Sequence, residues 1–459
     1  MSPVSKSLRN VTRHSLPTNE SGLGQSPKSC QMLILALVVL EVLSGGFWLP
    51  VRAQEPTRDV SGGSALNLSR MVVVGDSLSA GFENDSLLDT QQVHGWASLL
   101  AEQANVPLVL PLIAPPGIPN VLELLSPGPP PMVVPTPGTP SPGRDDPFVQ
   151  VTDLAVPDAT LQDTLTTTPS LPIDDFTDLV LGLPGLYLNP PISMSQADWA
   201  LALKPTAVFV WIGNNDILGA ASAANPGGAT SLGSFSTNYT KLLNKLASSG
   251  ATLVVANIPD VTVAPYFTPA STIAQEVGLP LFVVEAILGI GPGDYVLPAG
   301  VALIPSLLSN PSLGPLPSSD VLRALQVLEV RALIDAYNLI ITIQAGLHGA
   351  VLVDIHSLAN QIRSQGVEAD GHHLTNEFLG GIFSLDGVHP TNTGYAVIAN
   401  KFIATLNAAR GTSIPFVDVN QVASTDPLVF GVLAAADSLG RHVTPATAES
   451  LRLLFSHGK

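Results

Sequence analysis

The segment MVVVGDSLSAGFE, residues 71–83, combines the signal of a buried strand with that of a helix start. Three valines followed by a glycine are typical of a buried strand in a parallel sheet, and the small residues after them indicate the start of a helix. Ser77 falls at this transition, where the first N–H groups of a helix are unpaired and favour a developing negative charge. The position suits a nucleophile, although a serine there can also serve only as a helix cap.

Strand-like apolar runs recur along the chain, with helical patterns or loops between them. This alternation predicts an α/β fold in which a central parallel sheet of about five strands is covered by helices. The runs are Met71–Val74, Val151–Val156, Ala207–Ile212, Thr252–Ile258 and Ala350–Ile355.

Two long helices are predicted in the C-terminal half, over about 320–344 and about 393–408. Apolar residues in the first follow a 3-4-4-3 spacing, and Ser318 or Ser319 can cap its start. The apolar positions are Leu325, Leu328, Ala332, Ala336 and Leu339 in the first helix and Tyr395, Ile398 and Phe402 in the second.

Two segments interrupt the alternation. Residues 107–149 include fourteen prolines between Pro107 and Pro147, a density that precludes a regular helix or a central strand and predicts an extended surface excursion. Residues 277–319 are rich in apolar residues, glycine and proline, and their only charged residues are Glu285 and Asp294. The second segment is interpreted either as a buried subdomain or as an apolar lid over a lipophilic substrate.

The N-terminal 53 residues differ in character from the rest. Basic residues precede the apolar run MLILALVVL (32–40), and Val51-Arg52-Ala53 supplies small residues at a cleavage site. This pattern predicts a secretory signal that is cleaved after Ala53, with a start at Met32 or an uncleaved membrane anchor as alternatives. The expected location is therefore secreted or periplasmic.

Charge and cysteine content exclude several kinds of chemistry. The chain has 19 Lys and Arg against 36 Asp and Glu, a net charge of −17, which argues against nucleic-acid binding by electrostatic attraction. Cys30 is the only cysteine and lies within the predicted signal, so the mature chain would have no thiol. Thiol nucleophiles, Cys-ligated zinc and iron–sulfur clusters are thereby excluded.

The best candidate base for Ser77 is His389, in the segment SLDGVHPTNTGY. Asp386 lies three residues before it, so one turn can hold a carboxylate against the imidazole and fix its tautomer. Asp354 and His356 form a competing pair, and the adjacent His372 and His373 are interpreted as loop residues rather than metal ligands.

A candidate oxyanion donor follows the predicted strand over 207–212. In WIGNNDILG (211–219), Asn215 comes just after that strand, which we expect to lie beside the first strand. An asparagine N–H there can donate to the oxyanion of a tetrahedral intermediate. Without this context, Asn-Asn-Asp is an ordinary turn sequence.

Taken together, three blocks resemble those of the GDSL or SGNH hydrolases: GDSLS (75–79), GNND (213–216) and DGVH (386–389). The resemblance implies a flavodoxin-like three-layer α/β/α fold over 68–412, between a linker at 54–67 and a C-terminal extension at 413–459. It implies Ser77 as nucleophile, His389 as base and Asp386 as its orienting acid. It also implies the side chain of Asn215 and the backbone N–H of Ser77 as oxyanion donors.

One block departs from the family pattern. Members of the family carry a glycine whose N–H completes the oxyanion hole, and in the most similar stretch, DLAVPDAT (153–160), Asp158 stands in its place. The backbone N–H remains, but a carboxylate close to the oxyanion opposes its charge unless it is turned to solvent. The alternative donor is Gly117 in APPGIPN.

The expected function is that of an exported serine esterase or lipase that forms an acyl-enzyme on Ser77 and needs no metal or organic cofactor. Its expected partners are small ester or lipid molecules, with transient contact with lipid aggregates and no nucleic acid. Two alternatives remain open: a binding protein with weakened catalysis, suggested by Asp158 and the two insertions, and a carbohydrate O-deacetylase.

Overall fold

A computed structural model describes residues 66–126 and 132–431. The predicted signal, most of the linker and the end of the C-terminal extension lie outside these residues. The strands are β1 Met71–Gly75, β2 Leu122–Ser126, β3 Met132–Pro135, β4 Ala207–Trp211, β5 Thr252–Ala256, β6 Thr268–Pro269, β7 Tyr295–Val296, β8 Val321–Leu322, β9 Val351–Val353, β10 Val367–Ala369 and β11 His372–Leu374.

The helices alternate with the strands of the main sheet and also form most of the segments between them. They are α1 Ser77–Ala80, α2 Asp89–Gln92, α3 Trp96–Gln103, α4 Asp163–Thr166, α5 Phe176–Leu181, α6 Gln196–Ala202, α7 Asn215–Ser222, α8 Leu232–Ala247, α9 Ala270–Val277, α10 Leu281–Leu288, α11 Pro298–Val301, α12 Ile304–Ser309, α13 Ala324–His348, α14 Ile355–Gln365, α15 Asn392–Arg410 and α16 Val419–Thr425.

The main sheet is parallel, with the strand order β1-β4-β5-β9. The run at 151–156 is not a regular strand, but it lies along the free edge of β1, where Val73 pairs with Asp153 and also accepts a bond from the Leu154 N–H. Counting this segment second in chain order, the sheet has the order 2-1-3-4-5 of flavodoxin-like folds. The predicted fold class is confirmed, with four regular strands instead of five.

Alternating side chains of the strands form two separate cores, one on each face of the sheet. One face packs against α6, α7, α8 and α13 through residues such as Val72 and Val208. The other face packs against α3 and α15, with Trp96 stacked on Phe402 at 3.9 Å between ring centroids. Because parallel strands are covered on both faces, they consist of nearly continuous apolar runs.

Both predicted long helices are present, but the first differs in its buried face. The α13 helix buries Val327, Val330 and Ile334, whereas the stripe that begins at Leu325 and Leu328 faces solvent. Its N-cap is Arg323, whose backbone N–H donates to the Gln326 side chain, and not Ser318 or Ser319. In α15, Tyr395, Ile398 and Phe402 are buried as their alignment predicts.

The two insertions have different structures. The proline-rich segment contains the antiparallel pair β2–β3, away from the main sheet. The apolar segment lies within a small subdomain, in which strands β6–β8 and helices α9–α12 enclose a core that includes Ile273, Val284 and Val296. Within the described residues no single helix is long and apolar enough to cross a membrane; α9 and α10 meet that test only as a pair bent by 109°.

Candidate active site

Ser77 lies where β1 passes into α1, at the carboxyl end of the sheet. The preceding Asp76 caps α1 by accepting the Leu78 N–H at 3.1 Å. A side chain at Gly75 would approach Ser79 Oγ to 2.6 Å and the Trp211 carbonyl oxygen to 2.8 Å, so this turn requires glycine. The strand order reverses beside β1, and such switch points are where ligands bind in open α/β sheets.

His389 and Asp386 are brought to Ser77 from one turn before α15. His389 Nε2 lies 2.8 Å from Ser77 Oγ, and His389 Nδ1 lies 3.1 Å from Asp386 Oδ2. Gly387, between them, has a φ of +71°, a conformation that favours glycine. The structure therefore brings together the serine, imidazole and carboxylate predicted from the sequence, in hydrogen-bonding contact.

The Asp386 carboxylate is held as an anion although it is buried. Burial alone favours the neutral acid, but Oδ1 accepts the N–H groups of Val388 and His389, and Oδ2 accepts the Asp85 N–H and faces the His389 ring. These bonds and the imidazole charge outweigh burial and lower the pKa of Asp386.

The same surroundings act in the opposite direction on His389. Burial disfavours the imidazolium form, but the carboxylates of Asp386, Asp85 and Asp158 outweigh burial and raise the pKa of His389. An imidazolium at His389 is thus stabilised, as a base for Ser77 requires. Phe82 packs on the imidazole, with 4.7 Å between ring centroids, and restricts its orientation.

The candidate oxyanion donors are the backbone N–H groups of Ser77 and Asp158 and the side chain of Asn215, which lines the same cavity as Ser77. Asn215 begins α7, just after β4, and donates one N–H of its side chain to the Ala159 carbonyl at 3.1 Å. Its second N–H hydrogen is available, since an amide nitrogen carries two. Within the described part of the chain, the backbone N–H groups of Ser77 and Asp158 donate to no protein acceptor.

Asp158 adopts the backbone conformation expected of a glycine. Its φ is +64°, in the left-handed region that asparagine and aspartate tolerate better than most residues, and its side chain is exposed. The segment is tied to the end of β4 because Asp216 accepts the Leu161 N–H at 2.7 Å and Asn215 bonds Ala159. Gly117 is not brought to the site as a donor, since its N–H donates to the Ala114 carbonyl at 3.1 Å.

The other candidate residues have structural partners. Asp354 caps α14 by accepting the Ser357 N–H, and His356 Nδ1 lies 3.1 Å from the Ile258 carbonyl oxygen, so the two do not form a catalytic pair. His372 and His373 lie in the short strand β11 instead of a loop, and His373 faces Glu368 at 2.6 Å.

Carboxylates close enough to share a metal ion occur in one group among the described residues, Asp174, Asp175 and Asp178. Asp178 already accepts the Ser170 N–H at 2.6 Å, and Asp175 caps α5. The Ser77 site is built without this group.

Several residues that shape the site were not predicted from the sequence. Asp76 joins the α1 cap to the Asn214 side chain at 2.8 Å, and burial raises the pKa of Asp76 to about 7. Asp85 approaches Asp386 through its backbone, and burial together with the charge of Asp386 raises the pKa of Asp85 to about 7. The position of Asp76 before a helix is a recognisable cap signal, whereas Asp85 and Phe82 reach the site only through the fold.

An apolar cavity of about 100 Å³ opens beside Ser77 and His389. It extends between α14 and α15 and is lined mainly by aliphatic side chains, with Asn214, Asn215 and Asp260 as polar exceptions. The aliphatic residues include Leu78, Leu218, Ile355, Leu358, Ile362 and Ile398.

Comparisons with known proteins agree with the sequence blocks. The family model described as GDSL-like Lipase/Acylhydrolase matches residues 71–402. No curated protein matches the chain.

Three of the solved structures similar to this chain are of low sequence identity. LAE5, an alpha/beta hydrolase enzyme from the metagenome of Lake Arreo, Spain, is 14% identical with a TM-score of 0.35, covering 75% of this chain and 97% of that chain. TesA is 14% identical with a TM-score of 0.31, and the match covers 74% of this chain and 98% of the TesA chain. Axe2, an acetylxylan esterase from Geobacillus stearothermophilus, is 10% identical with a TM-score of 0.34, covering 76% and 97%.

Proposed function

Because the chain belongs to the GDSL-like lipase/acylhydrolase family and is therefore an ester hydrolase, we propose that it is an exported serine esterase acting through an acyl-enzyme on Ser77. The single observation that carries this proposal is the contact chain from Ser77 Oγ to His389 Nε2 and from His389 Nδ1 to Asp386. A nucleophile, a base and a group that orients the base are what this chemistry needs.

In the proposed first step, Ser77 Oγ attacks the ester carbonyl while its proton passes to His389 Nε2. The carbonyl oxygen becomes an oxyanion, which accepts bonds from the Ser77 N–H, the Asn215 side chain and the Asp158 N–H. His389 then returns the proton to the departing alcohol oxygen, and the carbon–oxygen bond to the alcohol breaks. The acyl group remains on Ser77 as an ester.

In the second step, water attacks the acyl carbon while His389 accepts a water proton. The same donors hold the second oxyanion, and its collapse breaks the bond to Ser77 Oγ, which regains a proton from His389. Asp386 remains ionised throughout, held by four hydrogen bonds. A free carboxylic acid leaves, and the enzyme is restored.

For the substrate, we propose an ester with a short or medium acyl chain. The cavity at Ser77 is apolar and measures about 100 Å³. An engineered apolar cavity of about 150 Å³ in another protein accommodates benzene, so chains of about four to six carbons match this space. Residues 277–319, interpreted from the sequence as either a buried subdomain or a lid, lie in a subdomain with its own core, and we include no lid movement in the proposal.

The test is hydrolysis of p-nitrophenyl esters from acetate to palmitate by the full chain and its Ser77→Ala variant. We expect the highest kcat/KM for butyrate or hexanoate and the loss of turnover in the variant. Equal hydrolysis by both proteins would exclude Ser77 as nucleophile. An optimum at acetate would favour the O-deacetylase alternative, and an inactive, folded wild-type chain would favour the binding-protein alternative.

Export is proposed from the apolar run at 32–40, which lies outside the described residues. N-terminal sequencing of protein recovered from outside the cytoplasm tests it. A start near Gln54 supports cleavage after Ala53, whereas retention of Met32 supports an uncleaved anchor.

A further inference from the structure

The α13 helix has two apolar faces, and only one of them is covered. Val330, Ile334 and Tyr337 on the inner face are fully buried against the sheet and α8. On the outer face, five large aliphatic side chains remain 51–79% exposed within the described part of the chain. They are Leu325, Leu328, Leu339, Ile343 and Leu347.

These five residues form one continuous stripe, completed by two alanines. With Ala332 and Ala336, the positions follow steps of 3, 4, 4, 3, 4 and 4 residues. This spacing is close to the helical repeat, so the stripe runs straight along the helix for about 33 Å. Single exposed leucines are ordinary on protein surfaces, but a contiguous apolar stripe of this length marks an interaction site.

We propose that the α13 stripe is the interface of a homodimer, in which α13 packs antiparallel against α13 of a second copy, with the twofold axis at Ala336. A twofold interface must be self-complementary. Pairing about position 336 sets Leu325 opposite Leu347 of the other copy. It also places Leu328 and Ala332 within one residue, about 1.5 Å along the axis, of Ile343 and Leu339 of the other copy.

The size of the residues fits this arrangement. The central alanines allow the two helices to approach closely, and each Ala332 leaves space for the Leu339 of the other copy. Alternation of large and small residues is the pattern by which packed helices interlock. The longer side chains at both ends of the stripe then cover each other.

The area is also sufficient. The five exposed aliphatic side chains present on the order of 500 Å² per copy, so the pair would remove about 1,000 Å² of apolar surface, the lower bound for a specific interface. The seven stripe positions hold no charged side chain, in keeping with the depletion of charged residues at the centres of interfaces, and the exposed Glu329 and Asp335 flank the stripe. An anionic membrane surface is a less suitable occupant of the stripe, because the chain has a net charge of −17 and the stripe has no basic residue.

The first test is sedimentation velocity of the full chain over a wide concentration range. We expect a reversible dimer whose Kd rises by roughly 30-fold or more in Leu339→Glu, because each copy contributes this side chain at the centre of the interface. Leu171→Glu is the matched control, since Leu171 is 57% exposed but lies outside α13. Its dimer should be unchanged, and thermal unfolding confirms that both variants are folded.

The second test fixes the register. In a Cys30→Ser background, Ala336→Cys places thiols of the two copies at the twofold axis, and oxidation should give a covalent dimer. Thr342→Cys is the control, because antiparallel pairing separates the two thiols by about 18 Å along the axis. Efficient cross-linking at 342 and not at 336 would overturn the proposal.

Other outcomes also overturn it. A monomer at all concentrations, or a dimer that withstands Leu339→Glu, excludes this interface. A full chain that is monomeric but dimerises once residues 432–459 are deleted would identify that segment as the occupant of the stripe. A monomer that co-sediments with phosphatidylcholine vesicles through Leu339 would identify a lipid surface as the occupant.

Discussion

The two sides of Ser77 use negative charge in opposite ways. On one side, Asp386 accepts four hydrogen bonds, one of them from the His389 ring, so its charge would stabilise the imidazolium of the proposed mechanism. On the other side, Asp158 stands beside the candidate oxyanion donors, at a glycine-like φ of +64°. A carboxylate favours a neighbouring cation and disfavours a neighbouring anion, so position decides whether the charge accelerates or slows the reaction.

The position of the Asp158 side chain limits the effect of its charge on the site. Its side chain is exposed, where solvent screens its charge, and its backbone N–H remains unpaired within the described residues. The proposed donor function of the segment depends on that N–H, and the hydrogen bonds from Asn215 to Ala159 and from Leu161 to Asp216 hold the segment in place. We therefore expect reduced activity from Asp158, and not its loss.

Among the substitutions on the two sides of Ser77, we expect the largest loss of kcat at Asp386, which orients His389. Asp386→Asn should lower kcat by about 10⁴-fold, because a neutral amide neither stabilises the imidazolium nor fixes the reactive tautomer. Steady-state ester hydrolysis measures it. Asp354→Asn is the control: its carboxylate caps α14, so kcat should be unchanged. Equal losses in the two variants would contradict the assignment.

The next largest effect is expected from the oxyanion side. Asn215→Ala should lower kcat by about 10²–10³-fold with little change in KM, because the lost N–H acts mainly on the charge that develops in the transition state. A comparable rise in KM with kcat retained would show that Asn215 binds substrate instead. Circular dichroism of Asn215→Ala checks that the variant folds without the hydrogen bond to the Ala159 carbonyl.

The pH dependence of kcat/KM tests in one experiment how the charges of Asp386 and Asp158 act on His389. Since the carboxylates around His389 raise its pKa, kcat/KM should fall with decreasing pH along an acid limb centred above the ordinary histidine value of about 6.5. In Asp158→Asn one of these charges is removed, the imidazolium is less favoured, and the limb should move to lower pH. A limb that stays in place or moves upward would exclude an electrostatic influence of Asp158 on His389.

The smallest effect is expected from restoring the family glycine. Asp158→Gly should raise kcat by about fivefold, because it removes the charge beside the oxyanion and relieves the left-handed backbone. Lys204→Gly is the matched control, since Lys204 is also exposed, with a φ of +50°, but does not belong to the site. An unchanged or lower kcat in folded Asp158→Gly would contradict the proposed cost of this carboxylate.

The sequence was most informative where one short segment determines both position and chemistry. The placement of Ser77 and Asn215 just after strands follows from apolar runs and the residues that come after them, and His389 was identified from its turn before a predicted helix. In a parallel sheet the carboxyl ends of neighbouring strands meet at one edge, so local signals predict which side chains gather there.

Contacts between distant segments could not be predicted in this way. Asp85 reaches Asp386 across 301 residues of sequence, and nothing in the local pattern around Asp85 indicates that approach. In α13 the 3-4-4-3 spacing correctly predicts a helix but belongs to the exposed stripe, because an opposite set of apolar residues is the one that packs on the sheet. Two apolar faces with the same periodicity cannot be ranked without the packing partners.

Identification of the covalently modified residue shows whether Ser77 is a nucleophile activated by His389. The full chain is treated with a p-nitrophenyl alkylphosphonate, and its peptides are analysed by mass spectrometry. We predict a phosphonyl adduct on the peptide that contains Ser77, and its absence in the folded His389→Ala variant. An adduct on another residue, or ester hydrolysis that continues with Ser77 unmodified, would contradict the account.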